Sequence, residues 1–260
     1  MSVDDIARMT GTVESRPRSM SPKTSIITVS YDRPDYLAEA IVSVERQTDL
    51  DWEHLVYDNH SSDPRVLDVL RAAKSRHPDK FFFVSPGARG PAIPALYWNI
   101  LIGLSRGRYV TILDDDNRKH PRFLESMTAP MEEDASVDAV SCGWTPVDAT
   151  GQRAGEDCHW NLLTSMERLR QSNTIDSNAL AVRRSVLDFV GQFSTDFVMC
   201  EDWHFVIRLA RSCRIEHLPG ALADYRQHLF ARSQNGSRAE LYATWNRIRA
   251  EMFAPEAVAQ

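Results

Sequence analysis

The sequence predicts an α/β protein with a mostly parallel central sheet, because short apolar runs alternate with segments of helical periodicity through its first half. Strands joined in this way run parallel through right-handed crossovers. The loops that follow the strands then share one edge of the sheet, where ligands bind in open α/β folds. Four predicted strands, rich in β-branched and aromatic residues, cover residues 25–30, 54–57, 81–84 and 109–113.

Three helices are predicted between these strands. The first two open at Pro34 and Pro64, because proline fits the first turn of a helix, and the third is expected to stop near Gly107. Apolar residues at helical spacing define the face that each helix buries. In chain order, these are Leu37, Ile41 and Val44; Leu67, Leu70 and Ala73; and Leu96, Ile100 and Leu104.

The second half has a looser pattern. After Pro130 we expect antiparallel additions, with a hairpin at residues 149–151 and helices at residues 201–211 and 236–253. Nothing in this region has the composition of a linker, so the second half is expected to be built directly onto the first.

These patterns divide the chain into three parts. We expect a flexible tail over residues 1–23, a single domain over residues 24–235 and a C-terminal helix over residues 236–260. The domain itself is expected to consist of two halves, residues 24–120 and 121–235.

Composition excludes several classes of protein. The 260 residues are 43% hydrophobic and carry a net charge of −6, so no broad surface for nucleic acid or an anionic membrane is expected. The 4 cysteines show no C-x-x-C spacing, which favours a reducing cytoplasm over a disulfide scaffold. Without an apolar signal core or an 18-residue apolar run, a cytoplasmic protein with no transmembrane segment is expected, although peripheral membrane contact stays open.

Three adjacent aspartates, Asp114, Asp115 and Asp116, follow the fourth predicted strand. In extended backbone, Asp114 and Asp116 would share a face while Asp115 points elsewhere. Two close carboxylates repel unless a cation neutralises them, and oxygen ligands suit Mg²⁺ or Mn²⁺. The alternative for this stretch is a solvated acidic turn.

Five segments occur in a fixed order along residues 24–232: SIITVSYDRPDYLAEAIVSVERQT, LVYDNHSSD, GRYVTILDDDN, EDWHFVIRLA and YRQH. Together they resemble the motifs of family 2 glycosyltransferases, roughly S-I-I-I-P-T-Y-N-R, V-V-D-D-G-S-x-D, G-E-Y-I-x-x-L-D-x-D-D, E-D-W-D-L-x-L-R and Y-R-x-H. Five matches in order are far more specific than one. The resemblance implies the GT-A fold, with a Rossmann-like nucleotide-sugar-binding half over residues 24–120 and a smaller mixed acceptor-binding half over residues 121–235.

The resemblance also implies an enzyme that transfers a sugar from a nucleotide-sugar donor to an acceptor hydroxyl, with inversion at the anomeric carbon. Ser30 and Tyr31 would line the base pocket, Asp58 would accept a hydrogen bond from the ring N–H of the base, and Asp114 or Asp115 would contact the ribose. The full set of expected donor-binding residues is Ser30, Tyr31, Arg33, Asp58, Arg89, Asp114 and Asp115.

Catalysis and metal binding are assigned through the same resemblance. Asp202 matches the catalytic base, which must take the proton of the acceptor hydroxyl. Asp116 and His228 match ligands of a divalent cation, Mn²⁺ or Mg²⁺, and a nitrogen ligand favours Mn²⁺. The alternative for Asp202 is a charge that only favours the first turn of its helix.

Two positions depart from the family pattern. His60 stands where the family has glycine, and Trp98 stands where an arginine often precedes the helix asparagine, which is Asn99 here. Arg89 is expected to replace the missing cation, an assignment that rests on its loop position alone.

The expected partners are a UDP- or dTDP-sugar donor and a saccharide, peptide or small-metabolite acceptor. Three tryptophans, Trp144, Trp160 and Trp203, lie in the acceptor half, where core packing is the commoner use for any one of them. Residues 176–178 lie near a predicted strand and could touch acceptor hydroxyls.

Two other functions remain open at this level. A sugar-phosphate nucleotidyltransferase would need a glycine-rich basic loop after the first strand, and residues 31–34 contain no glycine. A catalytically silent GT-A-like module would bind nucleotide sugar without turnover, and such a module does not need Asp116, Asp202 and His228 together.

Overall fold

One sheet of eight strands runs through the protein, whose computed structural model describes residues 21–229 and 238–253. The strands are β1 (Thr24–Ser30), β2 (Trp52–Asp58), β3 (Phe81–Val84), β4 (Tyr109–Ile112), β5 (Arg118–Lys119), β6 (Ala139–Val147), β7 (Leu180–Arg183) and β8 (Ile215–Arg226). They lie in the order β3-β2-β1-β4-β7-β6-β8-β5. All four strands predicted for the first half are confirmed.

Strands β1 to β4 pair in parallel, as predicted. Almost every residue of β1, β2 and β4 is buried, because helices cover both faces of this part of the sheet. The register places Ser30 of β1 beside Asp58 of β2. The loops after these strands therefore begin side by side at one edge of the sheet.

The second half continues the same sheet with mixed pairing. Strand β7 runs antiparallel to β4, β6 runs antiparallel to β7, and β8 runs parallel to β6. The pairing of β6 with β8 shifts on both sides of Gly143, which marks a bulge. Beyond β6 the predicted hairpin is present, since the Asp148 N–H donates to the Gln152 carbonyl at 2.8 Å.

The helices begin close to where the prolines predict. Pro34 occupies the first turn of its helix, and Pro64 is the N-cap of the next. The helices are α1 (Pro34–Glu45), α2 (Arg65–Arg76), α3 (Pro94–Leu104), α4 (Phe123–Glu133), α5 (Met166–Gln171), α6 (Val186–Phe189), α7 (Glu201–Ser212) and α8 (Arg238–Phe253), with 3₁₀-helices at Trp160–Leu163 and Ser177–Ala179.

The predicted buried face is correct for α1 and wrong in part for the next two helices. In α2 the buried residues are Val66, Leu70 and Ala73, so Val66 takes the place assigned to Leu67. In α3, Leu96, Ile100 and Leu104 are only partly buried. Because α3 is apolar on every side, periodicity could not select its face; the buried residues are Ala95, Tyr97, Trp98, Leu101 and Ile102.

Gly107 has a different role from the predicted helix stop. Helix α3 already ends at Leu104, with Ser105 as its C-cap. A Cβ atom on Gly107 would lie 2.5 Å from the Ser25 nitrogen, so glycine here permits β4 to begin against β1. The Gly107 N–H donates to the Ser25 hydroxyl at 2.7 Å, and that hydroxyl donates to Glu53 at 2.6 Å.

Three segments, residues 1–20, 230–237 and 254–260, lie outside the described residues. Most of the predicted tail and the predicted boundary at residue 235 fall there. The predicted C-terminal helix is described from Arg238 to Phe253. In residues 21–229 and 238–253, no helix has the length and apolar character that crossing a membrane requires.

Replacing Gly107 by alanine is expected to destabilise the protein by about 1–3 kcal/mol, because the new Cβ must push on the backbone of β1. The matched control is Gly103→Ala. Gly103 lies inside α3, and a Cβ atom added there would meet no other atom within 4 Å, so alanine should stabilise the helix by about 0.5–1 kcal/mol. Urea denaturation of both variants measures the difference, and equal effects would contradict the assigned role of Gly107.

Candidate active site

Most of the predicted site residues lie at the carboxyl ends of β1, β2 and β4, whereas Arg89 follows β3, Asp202 lies in α7 and His228 follows β8. At their centre the Arg33 guanidinium donates to Asp115 at 3.0 Å and to Asp116 at 2.6 Å. The His228 Nε2 atom lies 3.1 Å from the same Asp116 oxygen. The Tyr31 N–H also points to Asp115, at 3.3 Å. The loop after β1, the carboxylates of Asp115 and Asp116, and the imidazole of His228 therefore meet in one place.

The two central carboxylates are only partly neutralised. Burial raises the pKa of Asp115 to about 7, although the charge of Arg33 opposes this shift. Burial and the charge of Asp114 raise the pKa of Asp116 to about 6. One arginine therefore does not compensate the negative charge of this edge, and an additional cation would be attracted to it.

The predicted alternation of the aspartates is wrong. Asp115 and Asp116 share Arg33, whereas Asp114 faces the opposite way and accepts a hydrogen bond from the Asn178 amide at 2.7 Å. The reason is that the strand ends at Ile112 and the backbone turns, with the Asn117 N–H donating to the Asp114 carbonyl at 3.1 Å. Alternation applies only to extended backbone.

Asn178 joins Asp114 to a second buried acid, Asp176. Its amide nitrogen donates to Asp176 at 2.9 Å, and its side-chain oxygen accepts from the Asp114 N–H at 2.6 Å. Burial raises the pKa of Asp176 to about 6, and the neighbouring charges of Asp202 and Asp114 contribute. Residues 176–178 thus support the aspartate cluster; whether they touch acceptor, as predicted, stays a prediction.

A buried lysine lies beneath this acidic network. The Lys119 ammonium donates to the Asn178 carbonyl and to the Thr111 hydroxyl, and it lies 3.8 Å from the centre of the Phe123 ring. Burial lowers the pKa of Lys119 to about 7, against the attraction of Asp176 and Asp114. The lysine thus ties the loop that carries Asn178 to strands β4 and β5.

Arg226, the arginine of YRQH, holds the aspartate turn in position. Its guanidinium is completely buried and donates to the Asp116 carbonyl at 2.8 Å, the Ala149 carbonyl at 2.9 Å and Glu39 at 2.5 Å. The three partners come from the aspartate loop, the hairpin and α1. A planar guanidinium with five N–H groups can satisfy all of them, whereas a lysine could not.

Asp58 is buried at the end of β2, where both of its carboxylate oxygens accept hydrogen bonds. Ser61 donates to it through its N–H at 3.0 Å and its hydroxyl at 2.6 Å, and Ser85 donates through its hydroxyl at 2.7 Å. Nearby, the Arg89 guanidinium lies 3.9 Å from the centre of the Tyr31 ring. Ser30 is buried next to Asp58 in the sheet register.

The departure at His60 has a backbone explanation. His60 has a φ of +58°, the left-handed region in which glycine is favoured. The histidine is held there by its Nδ1 atom, 3.0 Å from the Pro86 carbonyl. The other departure, Trp98, lies in the core, and the adjacent Asn99 exchanges two hydrogen bonds with the Phe193 backbone.

Asp202 lies in the first turn of α7, where the helix dipole favours a carboxylate. The Asn173 amide donates to one of its oxygens at 2.9 Å, and the Trp203 N–H donates to the other at 2.8 Å. Cys200, the residue immediately before α7, has a φ of +61° and turns the chain into the helix. The carboxylate is half-buried and held in a fixed orientation.

A divalent cation fits the donor set at Asp116 and His228. Burial and the charge of Arg33 lower the pKa of His228, which favours the neutral imidazole that binds metals. Within the described residues, no group of three or more His, Cys, Asp or Glu side chains is arranged as a metal site. The protein would therefore supply few ligands and the phosphates of a substrate the others, as is common for Mg²⁺.

The family model described as Glycosyl transferase family 2 matches residues 25–189. The chain belongs to this family. It is 29% identical over 173 residues to protein CgeD of Bacillus subtilis (strain 168), a match that covers 66% of this chain and 40% of that protein. It is 25% identical over 238 residues to the O-antigen biosynthesis protein RfbC of Myxococcus xanthus, with 89% of this chain and 18% of RfbC covered. The chain thus spans less than half the length of these two relatives.

Solved structures confirm the GT-A fold of this family 2 chain. TarS of S. aureus, residues 1–349 in complex with UDP, superposes with a TM-score of 0.69 at 20% identity, over 88% of this chain and 65% of TarS. The mannosyltransferase PcManGT of Pyrobaculum calidifontis, in complex with GDP-Man and Mn²⁺, gives a TM-score of 0.59 at 20% identity, over 95% of this chain and 67% of that one.

Sequence reasoning did not identify four residues that support the site: Asn173, Asp176 and Asn178 as partners of the acids, and Arg226 as the residue that holds their loop. The first three lie before β7, and the pairing of β7 with β4 brings Asp176 and Asn178 to Asp114, while Asn173 bonds to Asp202. No local sequence pattern predicts the pairing of β7 with β4. For Arg226, the YRQH match was the available signal.

Substitution of Asp176 by asparagine is expected to stabilise the protein at neutral pH. The folded-state pKa of Asp176, about 6, lies above the unfolded value of 3.8, so the folded chain binds more protons and its free energy of unfolding falls as pH rises from 4 to 6. Above pH 6 the ionised Asp176 carboxylate lowers the free energy of unfolding by about 3 kcal/mol. Asp176→Asn removes this destabilisation, because the amide oxygen still accepts from Asn178.

The measurement is urea denaturation of wild type and Asp176→Asn at pH 4.5 and pH 7.5. The stability advantage of the variant should be small at the lower pH and larger at the higher. Asp79→Asn, at an exposed position, serves as the control and should show no such change. If Asp176→Asn changed the free energy of unfolding equally at both pH values, the raised pKa assigned to Asp176 would be wrong.

Proposed function

We propose that the protein is an inverting, divalent-cation-dependent glycosyltransferase that moves a sugar from a UDP- or dTDP-sugar to an acceptor hydroxyl. The observation that carries this proposal is the meeting of Asp116, Asp115, Arg33 and His228 at one edge of a GT-A sheet. Membership of glycosyl transferase family 2 supports the reaction class. TarS, with UDP or UDP-GlcNAc, and PcManGT, with GDP-Man and Mn²⁺, support a nucleotide-sugar donor and a divalent cation.

The donor nucleotide is assigned to the ends of β1 and β2. Tyr31, with the Arg89 guanidinium against its ring, forms a flat surface that suits a nucleotide base. Ser30 is buried at the start of the same loop. Asp58 supplies an acceptor for a ring N–H, which the uracil and thymine of a nucleotide carry at N3; the adenine of a nucleotide has no ring N–H and donates only through its exocyclic amino group. Asp114 or Asp115 would contact the ribose, and of the two Asp115 is bonded to Arg33 while Asp114 is bonded to Asn178. Arg33 would contact the diphosphate.

Asp116 and His228 would hold the cation. When bound, such an ion stabilises the negative charge that develops on the leaving diphosphate. Arg33 adds a fixed positive charge at the same place, directed by its bonds to Asp115 and Asp116. Arg226 keeps the aspartate turn in place and need not touch the substrate.

Asp202 acts as the general base. In the proposed step the acceptor oxygen forms a bond to the anomeric carbon as the bond from that carbon to the diphosphate oxygen breaks, and the acceptor proton passes to Asp202. A single displacement of this kind inverts the anomeric configuration and requires no nucleophile from the enzyme. The hydrogen bonds from Asn173 and Trp203 orient the carboxylate toward that role.

UDP or dTDP with Mn²⁺ is expected to raise the melting temperature, whereas ADP is not. At a nucleotide concentration of 100 times Kd, binding adds about 2.7 kcal/mol, which corresponds to roughly 5–10 °C for a chain of this size. A thermal-shift panel of nucleoside diphosphates with Mn²⁺ or with EDTA measures this. Asp116→Asn should lose the Mn²⁺-dependent part, and an equal response to all bases would contradict the pyrimidine assignment.

Asp202→Asn is expected to reduce sugar transfer by about 10²–10⁴-fold while UDP binding stays near wild type, because the base acts on the acceptor and not on the donor. Transfer is measured as UDP released from UDP-sugar in the presence of acceptor. Asp196→Asn, an exposed acid a few residues away, is the matched control. Turnover unchanged in Asp202→Asn would remove that residue from the mechanism.

A further inference from the structure

Three aromatic side chains, Trp144, Trp160 and Tyr225, form a cluster that we call the aromatic platform. The ring centres of Trp144 and Trp160 are 6.1 Å apart and nearly perpendicular, at 83°, and those of Trp144 and Tyr225 are 5.0 Å apart. Trp160 is 57% exposed. Trp203 is different, since it is buried and its indole N–H donates to the Leu169 carbonyl at 2.9 Å. Of the three acceptor-half tryptophans, Trp144 and Trp160 therefore share the platform, whereas Trp203 belongs to the core.

The exposure of Trp160 is not a result of a loosely attached segment. Strand β6 and the residues before Trp160 exchange two backbone hydrogen bonds, from Trp144 to Cys158 at 3.0 Å and from Cys158 to Trp144 at 2.8 Å. The Asn161 amide donates to the Leu218 carbonyl at 2.9 Å. At Gly143 a Cβ atom would lie 2.6 Å from the Cys158 carbonyl, so the two segments are in close contact.

Exposed apolar side chains continue in the 3₁₀-helix that carries Trp160. Leu162 is 47% exposed and Leu163 is 54% exposed, both in the same 3₁₀-helix as Trp160. A monomeric protein rarely leaves such a patch on a rigid support without a ligand or partner, because covering it would be favourable. The patch has a polar rim, where Asp157 accepts from Thr145 at 2.6 Å and from Arg153 at 2.9 Å.

The platform is connected to the proposed catalytic base. The 3₁₀-helix ends at Leu163, and the next residue, Thr164, forms a hydrogen bond of 2.8 Å with Thr174. The neighbour of Thr174 is Asn173, which donates to Asp202. At about 2.0 Å of rise per residue, Trp160 lies roughly 8 Å along this helix from Thr164. These contacts join the segment that carries Trp160 to the segment that orients Asp202.

We propose that the aromatic platform binds a sugar ring of the acceptor, so that the acceptor of this enzyme is a saccharide. This inference rests on the proposed glycosyl transfer, whose acceptor must reach Asp202. A pyranose suits the platform because its C–H face packs on an indole ring while its hydroxyls extend outward to polar groups such as Asp157 and Arg153. The net charge of −6 disfavours an anionic membrane surface as the occupant.

The test begins with an array of immobilised oligosaccharides, probed with the labelled protein in saturating UDP and Mn²⁺. The best-bound oligosaccharide is then titrated in solution by calorimetry. Trp160→Ala should weaken its binding by about tenfold, and Trp160→Phe should retain most of the affinity, because phenylalanine keeps an aromatic face. Saturation-transfer NMR should show the sugar C–H protons of one face closest to the protein.

Leu50→Ala is the matched control, since Leu50 is 63% exposed and precedes β2, which lies in the half of the sheet remote from β6 and β8. It should bind the oligosaccharide like the wild type. The thermal shift with UDP and Mn²⁺ should be equal in all variants. If that shift is missing in the wild type, the donor assignment fails independently of the platform.

Two results would overturn the platform proposal while leaving donor binding intact. In the first, the wild type retains no oligosaccharide on the array. In the second, the wild type and Trp160→Ala bind the oligosaccharide with equal affinity. Two further results would identify another occupant. Trp160-dependent sedimentation with phosphatidylcholine and phosphatidylglycerol vesicles would indicate a membrane, and Trp160-dependent dimerisation in light scattering would indicate a second copy of the chain.

Discussion

The accumulation of carboxylates at one edge of the sheet is the constraint on which the site depends. Asp114, Asp115, Asp116, Asp176 and Asp202 each lie within electrostatic range of at least one other of the five, and burial raises the pKa of three of them. Such a group is tolerated only if positive charge is placed around it. Arg33 pairs with the Asp116 carboxylate, Lys119 donates to the Asn178 carbonyl, and Arg226 donates to the Asp116 carbonyl. Each cation comes from a different part of the chain, so the site forms only when the whole domain has folded.

The same constraint links stability to function. A carboxylate with a raised pKa destabilises the fold at neutral pH, and natural proteins keep such groups where a ligand benefits from them. In this chain the uncompensated charge lies on Asp115 and Asp116, next to His228. A nucleotide diphosphate alone would be repelled by these acids. It would be attracted together with a divalent ion, which explains in electrostatic terms why donor and cation are expected to bind together.

The parts of this arrangement that are local in sequence could be predicted. The strands β1 to β4 and the start of α1 follow from apolar runs and proline positions. The family motifs also led to Asp116 and His228, which the structure brings together, while the roles assigned to Asp58 and Asp202 stay predictions. Three kinds of feature could not be predicted. The turn after Ile112 reversed the expected directions of Asp114 and Asp115, because a strand end is not visible in an apolar pattern. The apolar sequence of α3 did not specify its buried face. The antiparallel pairing of β7 with β4 supplied Asn178 from a distant segment.

A physical asymmetry separates the two sides of the site. The donor side is built from parallel strands whose ends are aligned by regular pairing, so residues that serve it recur at predictable places after each strand. The opposite side is built where the pairing is irregular, at the bulge around Gly143 and in the segment that packs on it. The position of Trp160 depends on those irregular contacts and on its hydrogen-bonded neighbours, not on a repeating pattern. The proposed donor is therefore argued from motifs, whereas the proposed acceptor is argued from the three-dimensional contacts of the second half.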